Sequence, residues 1–205
     1  CSGAAPDASE TGASEAAAEP SSASEPAAPA TPVAEKRSVK EETELFDFEY
    51  SYPEQAAAIP GLEALFDKRL EASRRELESG SKTDQTEATK SGYPYRKHSS
   101  GANWQVVADL PRWLSLSAEM YEYSGGAHGM TFFDTLLWDR ENAMARVPSD
   151  LFISKAALSS VLREPFCDAL DKERTKRRGE PVNRNSGDSF DECIDPAEHA
   201  VILGS

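Results

Sequence analysis

The chain has no run of eighteen apolar residues, so no segment reads as a membrane-spanning helix. It is poor in positive charge, with 22 Lys and Arg against 36 Asp and Glu, a net charge of −14. Phosphate neutralisation supplies most nucleic-acid affinity, so this balance argues against a nucleic-acid partner. There is no CxxC pair, no Cys/His ligand spacing, no G-x-S-x-G elbow and no phosphate loop. His98, His128 and His199 are far apart and lack ligand spacing. No metal or cofactor is expected.

The scarcest stretch is residues 1–35. It contains no Lys, Arg, Leu, Ile, Phe, Tyr or Trp, and its six charged residues are all acidic. Such a segment buries too little apolar surface to offset its chain entropy. Pro6, Pro20, Pro26, Pro29 and Pro32 stiffen it toward extended geometry. Residues 1–42 are therefore expected to be a disordered Ala/Pro/Ser/Glu-rich tether. Cys1 at its head has the look of the lipid-attachment residue of a mature bacterial lipoprotein, with its signal peptide cleaved. The expected location is the cell envelope, lipid-anchored, at the outer membrane or periplasm if the cell has two membranes. The alternative is a cropped chain with a polar end. Subtracting the tail's −6 leaves −8 on residues 36–205, an acidic domain that attracts cationic partners. The simpler alternative is acidity for solubility.

With Cys1 set aside, Cys167 and Cys193 form an even pair. In an oxidising compartment a disulfide between them is expected. Two separate buried thiols are the alternative.

Periodicity gives an α+β domain over residues 43–205: an antiparallel sheet, built as a meander, with two main helices packed on it. Phe46, Phe48, Tyr50 and Tyr52 alternate with Asp47, Glu49 and Ser51, a strand with one buried face that Pro53 ends. Pro60 opens a helix with Leu62, Leu65, Phe66 and Leu70 on one side, running to about Glu78. Residues 79–92 lack periodicity and read as a mobile loop. Three strands follow: Trp104–Leu110, Leu114–Tyr123 and Met130–Asp139. The last has apolar residues on both faces and is expected to be central and covered on both sides. Met144–Val147 pairs back. Ser154 caps a second helix with Leu158, Val161, Leu162 and Phe166 on its core face, and Pro165 should kink or interrupt it. Cations before Gly179 suit a helix end; a basic patch is the sharper alternative. Ala200–Leu203 begins a strand.

Tyr121-Glu122-Tyr123-Ser124-Gly125-Gly126-Ala127-His128-Gly129, the Trp138-Asp139 strand end, the turn at Glu141 to Ala143 and Val147-Pro148-Ser149-Asp150-Leu151-Phe152 together resemble the RsiV-like domain. That family occurs in envelope lipoproteins, in a lysozyme-sensing anti-sigma factor and beside the catalytic domain of PdaC-type peptidoglycan deacetylases. The resemblance implies an envelope location and a non-catalytic α+β module. The family usually has Gly where Ala143 stands. It also continues beyond a strand like Ala200–Leu203 into further strands, so the resemblance implies either a domain truncated at its C-terminus or a sheet without part of its usual closure.

The candidate binding residues are Gly125, Gly126 and His128 in the glycine-rich connection, with Glu119, Tyr121 and Tyr123 on one strand face. Glycines permit close backbone approach, and His128 is placed to meet a ligand or to act as a general base. The simpler alternative is a turn whose His bonds a neighbouring strand. Glu119 with the two tyrosines makes an acidic-aromatic surface suited to a cationic protein; the alternative is a solvated or helix-covered face. Two functions follow. One is a tethered, non-catalytic binding or sensing module for a cationic protein such as lysozyme, or for cell-wall material such as peptidoglycan. The other is a cell-wall hydrolase or deacetylase using His128 and a nearby carboxylate.

Overall fold

The computed structural model describes residues 34–204. Cys1 and the tether through Val33 lie outside the described residues. Six strands form one sheet in chain order: β1 (Arg37–Glu42), β2 (Phe46–Tyr52), β3 (His98–Asp109), β4 (Trp113–Tyr123), β5 (Met130–Asp139) and β6 (Met144–Arg146). A short helix α1 (Glu54–Ala57) precedes the long helix α2 (Pro60–Ser91), and α3 (Lys155–Arg178) follows the sheet. The architecture is the expected α+β sheet with two long helices packed on it. It departs from a pure meander at one place: β2 and β3 pair in parallel, with Phe46 opposite His98 and Tyr50 opposite Ala102. Parallel neighbours need a crossover, and α2 supplies it.

The fold begins earlier than the expected boundary at residue 43. β1 lies in the stretch assigned to the tether and pairs with all of β2 except its first residue, Phe46, from Arg37 opposite Tyr52 to Glu42 opposite Asp47. Its residues are mostly exposed, so it carries no hydrophobic alternation. The β2 ladder holds it together with charge: Glu41 accepts two hydrogen bonds from Arg74 of α2, at 2.5 and 2.8 Å.

The core lies between α2 and one sheet face. Phe46, Phe48, Tyr50 and Tyr52 are all buried, as their alternation requires. Tyr52 stacks on Phe66 with ring centroids 5.1 Å apart, and Phe66 meets Trp104 at 4.9 Å. The Trp104 indole donates to the Tyr50 hydroxyl at 3.1 Å, so a buried polar pair is satisfied inside the apolar layer. Leu114, Leu116, Ala118, Leu136 and Trp138 complete the layer.

Residues 79–91 are helix, not a loop. Their propensity is weak, with Gly80 and several Ser and Thr. They are held by a Lys82 to Glu78 bond of 2.6 Å and by burial of Ala88, while the Thr83, Thr86 and Thr89 hydroxyls bond the carbonyl four residues back. Gly92, at φ 75°, closes the helix in the left-handed region.

Three other expectations change. β3 begins at His98, six residues before the expected Trp104. The first half of β5 is not covered: Met130 and Phe133 are 66% and 56% exposed, while Leu136, Leu137 and Trp138 are buried. β5 is not central along its whole length either: β6 pairs only with Leu137, Trp138 and Asp139. Residues 200–204 hold no strand; Ser205 lies outside the described residues.

In α3 the Ser154 hydroxyl accepts from the Ala157 amide at 3.0 Å, as expected of an N-cap. The helix runs through Pro165 without interruption, and Val161 faces solvent while Leu158 and Cys167 are buried. Its terminal cations do not form a free patch. Arg178 bonds Asp191 and the Phe190 carbonyl, and Arg174 bonds the Glu192 carbonyl. Cys167 and Cys193 are joined in a disulfide, Cα atoms 5.5 Å apart, closing a separation of 26 residues. A loop of that length contributes about 3.5 kcal/mol in the chain-entropy account.

The β5–β6 turn is organised by Asp139, which is fully buried. Its carboxylate accepts from the Glu141 and Asn142 amides and from the Asn142 side chain at 2.8 Å. Ala143 completes the turn at φ 49°, a conformation that costs a side-chain-bearing residue about 1–2 kcal/mol. Ala143→Gly relieves that strain but frees the unfolded chain, so we expect a net gain of about 0.5–1 kcal/mol in a urea titration.

Burial pushes the Asp139 carboxyl upward, but the Asn142 hydrogen bonds and the Arg112 charge outweigh it and hold it below the usual carboxylate range. A lowered folded-state value contributes stability that is present above the unfolded value of about 3.9 and is lost as pH falls through the folded one. Urea midpoints measured downward from pH 5 should therefore fall below about pH 4 in the parent, and less steeply in Asp139→Asn.

Candidate functional site

Where the second half of α2 passes the start of β3 and the end of β4, a groove of about 340 Å³ opens. The α2 side supplies Glu76, Gly80 and Asp84; the sheet side supplies His98 and Glu122, with Tyr123, Gly126 and His128 at the rim. The placement follows from register. His98, Ser100 and Ala102 share the α2 face with Phe46, Phe48 and Tyr50. Glu122 sits opposite Ser100 on the neighbouring strand and faces the same way. No Lys or Arg lines the groove, and neither Glu76 nor Glu122 enters an ion pair among the described residues.

His98 is buried, and its Nε2 lies 3.2 Å from a carboxylate oxygen of Asp84. The Tyr95 ring lies beside it at 5.4 Å between centroids. The pair fastens the far end of α2 to the first residue of β3. The glycine-rich connection is fastened as well: the Gly126 carbonyl accepts from the Tyr123 hydroxyl and from Arg96, each at 3.0 Å. Gly125 adopts φ 86°, so the turn does require glycine there. Gly129 is required for a different reason: a Cβ at that position would overlap the Tyr121 ring.

The structure divides the expected site residues. Tyr123, Gly126 and His128 line the groove. Gly125 lies behind it, in a second depression with Tyr95, Arg96, Asp84 and His98. Tyr121 lies on the opposite sheet face, where it borders a shallow depression of about 470 Å³ with Asp47, Glu49 and Gly101. Glu119 shares that face, opposite Asn103 and Phe133. Glu119 and Tyr121 are therefore outside the groove, although Gly129 at the end of the connection packs against the Tyr121 ring.

His128 is exposed; its Nδ1 meets the Gly129 carbonyl at 3.1 Å, a neighbouring residue rather than another strand. Among the described residues no carboxylate pairs with it, whereas His98 has Asp84. The His–carboxylate pair in this region is His98–Asp84, which sequence reading missed because Asp84 fell in the expected loop. The helical spacing of Glu78 and Lys82, and Gly92 as a stop signal, would have extended the helix to include it. Among the described residues, no group of three His, Cys, Asp or Glu side chains is arranged to hold a metal ion.

Residues 39–131 match the protein family described as Deacetylase PdaC. The match runs from β1 into β5 and includes every groove residue. No curated protein matches the chain. Among solved structures, the chain is similar to a member of the DUF3298 family from Bacteroides fragilis NCTC 9343, at 17% identity and a TM-score of 0.39, covering 73% of this chain and 70% of that one. It is also similar to a DUF3298 family protein from Pseudomonas aeruginosa PAO1, at 16% identity and a TM-score of 0.39, covering 73% and 74%. By sequence, the segment that builds the groove is PdaC-like.

Gly129→Ala would drive a methyl group into a ring that is itself held by the strand. We expect a loss of about 1–3 kcal/mol in thermal or urea unfolding, together with a changed Tyr121 environment in fluorescence.

Proposed function

We propose that this domain is a non-catalytic binding module of the bacterial cell envelope that takes a basic group of a cationic protein, such as lysozyme, in the α2–β4 groove. The observation that carries the reading is the lining: Glu76, Asp84 and Glu122 with no lysine or arginine among them. An acidic cleft concentrates field and favours Arg or Lys side chains. The −8 charge of residues 36–205 acts in the same direction at longer range. Cell-wall material bearing free amines is the related ligand.

Envelope placement is supported by the Cys167–Cys193 disulfide, which suits an oxidising compartment, and by the spacer-like composition of residues 1–35. Attachment through lipid on Cys1 belongs to the same proposal, as does the narrower kinship with RsiV-like domains. Incorporation of labelled palmitate, lost in Cys1→Ala, tests the anchor.

A second reading is a deacetylase or hydrolase. It draws on the description of the matched family and on the His98–Asp84 pair in the groove. One experiment separates the two. Titration calorimetry with lysozyme should show binding that weakens with salt and that falls about tenfold in the Glu76→Gln/Glu122→Gln double variant. In parallel, release of acetate or reducing ends from peptidoglycan is measured. Turnover abolished by His98→Ala or His128→Ala in a folded protein would overturn the binding reading.

A further inference from the structure

The long helix α2 crosses the sheet obliquely. Near its start, Gly61 lies against the Trp138 ring of β5, where a Cβ would stand 3.1 Å away. Further along, Arg69 still reaches β5 and donates to the Asp134 carboxylate at 3.3 Å. Near the far end of the helix, Asp84 meets His98 at the start of β3, two strands over. A wedge therefore opens between the second half of α2 and the first half of β5. The Arg69–Asp134 pair closes its narrow end and the Asp84–His98 pair bounds the other. Between those two residues the helix advances about 22 Å, at about 1.5 Å per residue.

One part of the wedge is acidic and the other is apolar. Along β5, Met130 stands opposite Glu122 and Phe132 opposite Met120, so both side chains project on the α2 face. The helix does not cover them: Met130 is 66% exposed and Phe132 39%, whereas Leu136 and Trp138 on the same face are buried. Met130 lines the groove together with Leu77 of α2. The helix side leaves room, because Ser73 and Gly80 face the groove and a Cβ at Gly80 would meet nothing within 4 Å. Neighbouring exposed apolar side chains beside a cleft mark a contact surface.

Strand register fixes the spacing of the two parts. Glu122 and Met130 are a cross-strand pair, so the acidic and apolar features meet there. Phe132 lies one pleat repeat further, about 6.8 Å along β5. Residues four apart on a helix rise about 6.0 Å and share a face. A helix that sets a Lys or Arg between Glu76 and Glu122 therefore carries the residue four positions away toward Phe132.

We propose that the groove and the Met130–Phe132 ledge form one site whose occupant is a cationic amphipathic helix of the partner. Its basic side chain enters between Glu76 and Glu122, and a large apolar side chain four residues away rests on Met130 and Phe132. The inference rests on the acidic-groove reading above and adds the second half of the partner's chemistry. Charge selects the occupant: the acidic lining disfavours an acidic helix, and the ledge discriminates against a purely polar cation. Met130 suits such a ledge, since an unbranched thioether adapts to apolar groups of different shape. Helix-in-groove docking of this kind reads anchors at helical spacing.

Two alanine-based helical peptides with the same lysines test this on the whole chain; one has Leu and the other Gln four residues after each lysine. Titration calorimetry at low salt should show the Leu peptide binding at least about tenfold more tightly than the Gln peptide. Met130→Gln/Phe132→Gln should remove that preference and leave the Gln peptide's affinity unchanged, while Phe132→Leu should keep it. Both variants should retain the parent's circular dichroism, since these side chains lie outside the core. Equal binding of the two peptides by the parent overturns the amphipathic site and leaves the acidic groove standing. A Leu preference that persists in Met130→Gln/Phe132→Gln does the same. If neither peptide binds, the acidic-groove reading falls and this inference with it. A preference that vanishes as protein concentration rises marks a second copy as the occupant of the ledge and likewise overturns the proposal.

Discussion

Parallel pairing of β2 with β3 is the constraint on which the rest depends. Two neighbouring strands that run the same way cannot be joined by a hairpin, so the chain must return over one face of the sheet. α2 makes that return. Its 32 residues far exceed the seven of β2, and the surplus carries it past the end of the aromatic layer. The first half of the helix is held by Tyr52, Phe66 and Trp104; the second half is held by polar contacts at its margin. The groove exists because the helix overruns the core that holds it.

That division explains what sequence reading could see. Phe46 to Tyr52 and Leu62 to Leu70 were legible because burial imposes a period on residues that face a core. β5 and the Ser154 cap were legible for similar local reasons. Residues 79–91 were not, because only Ser81 and Ala88 are buried along thirteen residues and the rest is held by side chains bonding their own helix. β1 was missed because its stability comes from the β2 ladder and from Arg74, a residue more than thirty positions away. Parallel pairing cannot be read from one strand at all.

The candidate site was half legible for the same reason. The glycine-rich connection announces itself, and Gly125, Gly126 and His128 were found there. Their partners across the groove, Glu76 and Asp84, come from the overrunning helix. Without that helix, Glu119 and Tyr121 look like the natural companions of His128. Strand alternation instead sends them to the other face, while Glu122 turns inward to join His98.

β1 has a mechanical meaning. Whatever precedes Ala34 enters the fold through this edge strand, so tension along the chain reaches β1 before any other element. A six-residue ladder to β2 resists it first, with Arg74 gripping Glu41 from the helix side. α2 is also one wall of the groove, so the Arg74–Glu41 pair ties the edge strand to the helix two residues before Glu76. The entry point of the chain and the groove wall are thus linked within a single turn of helix.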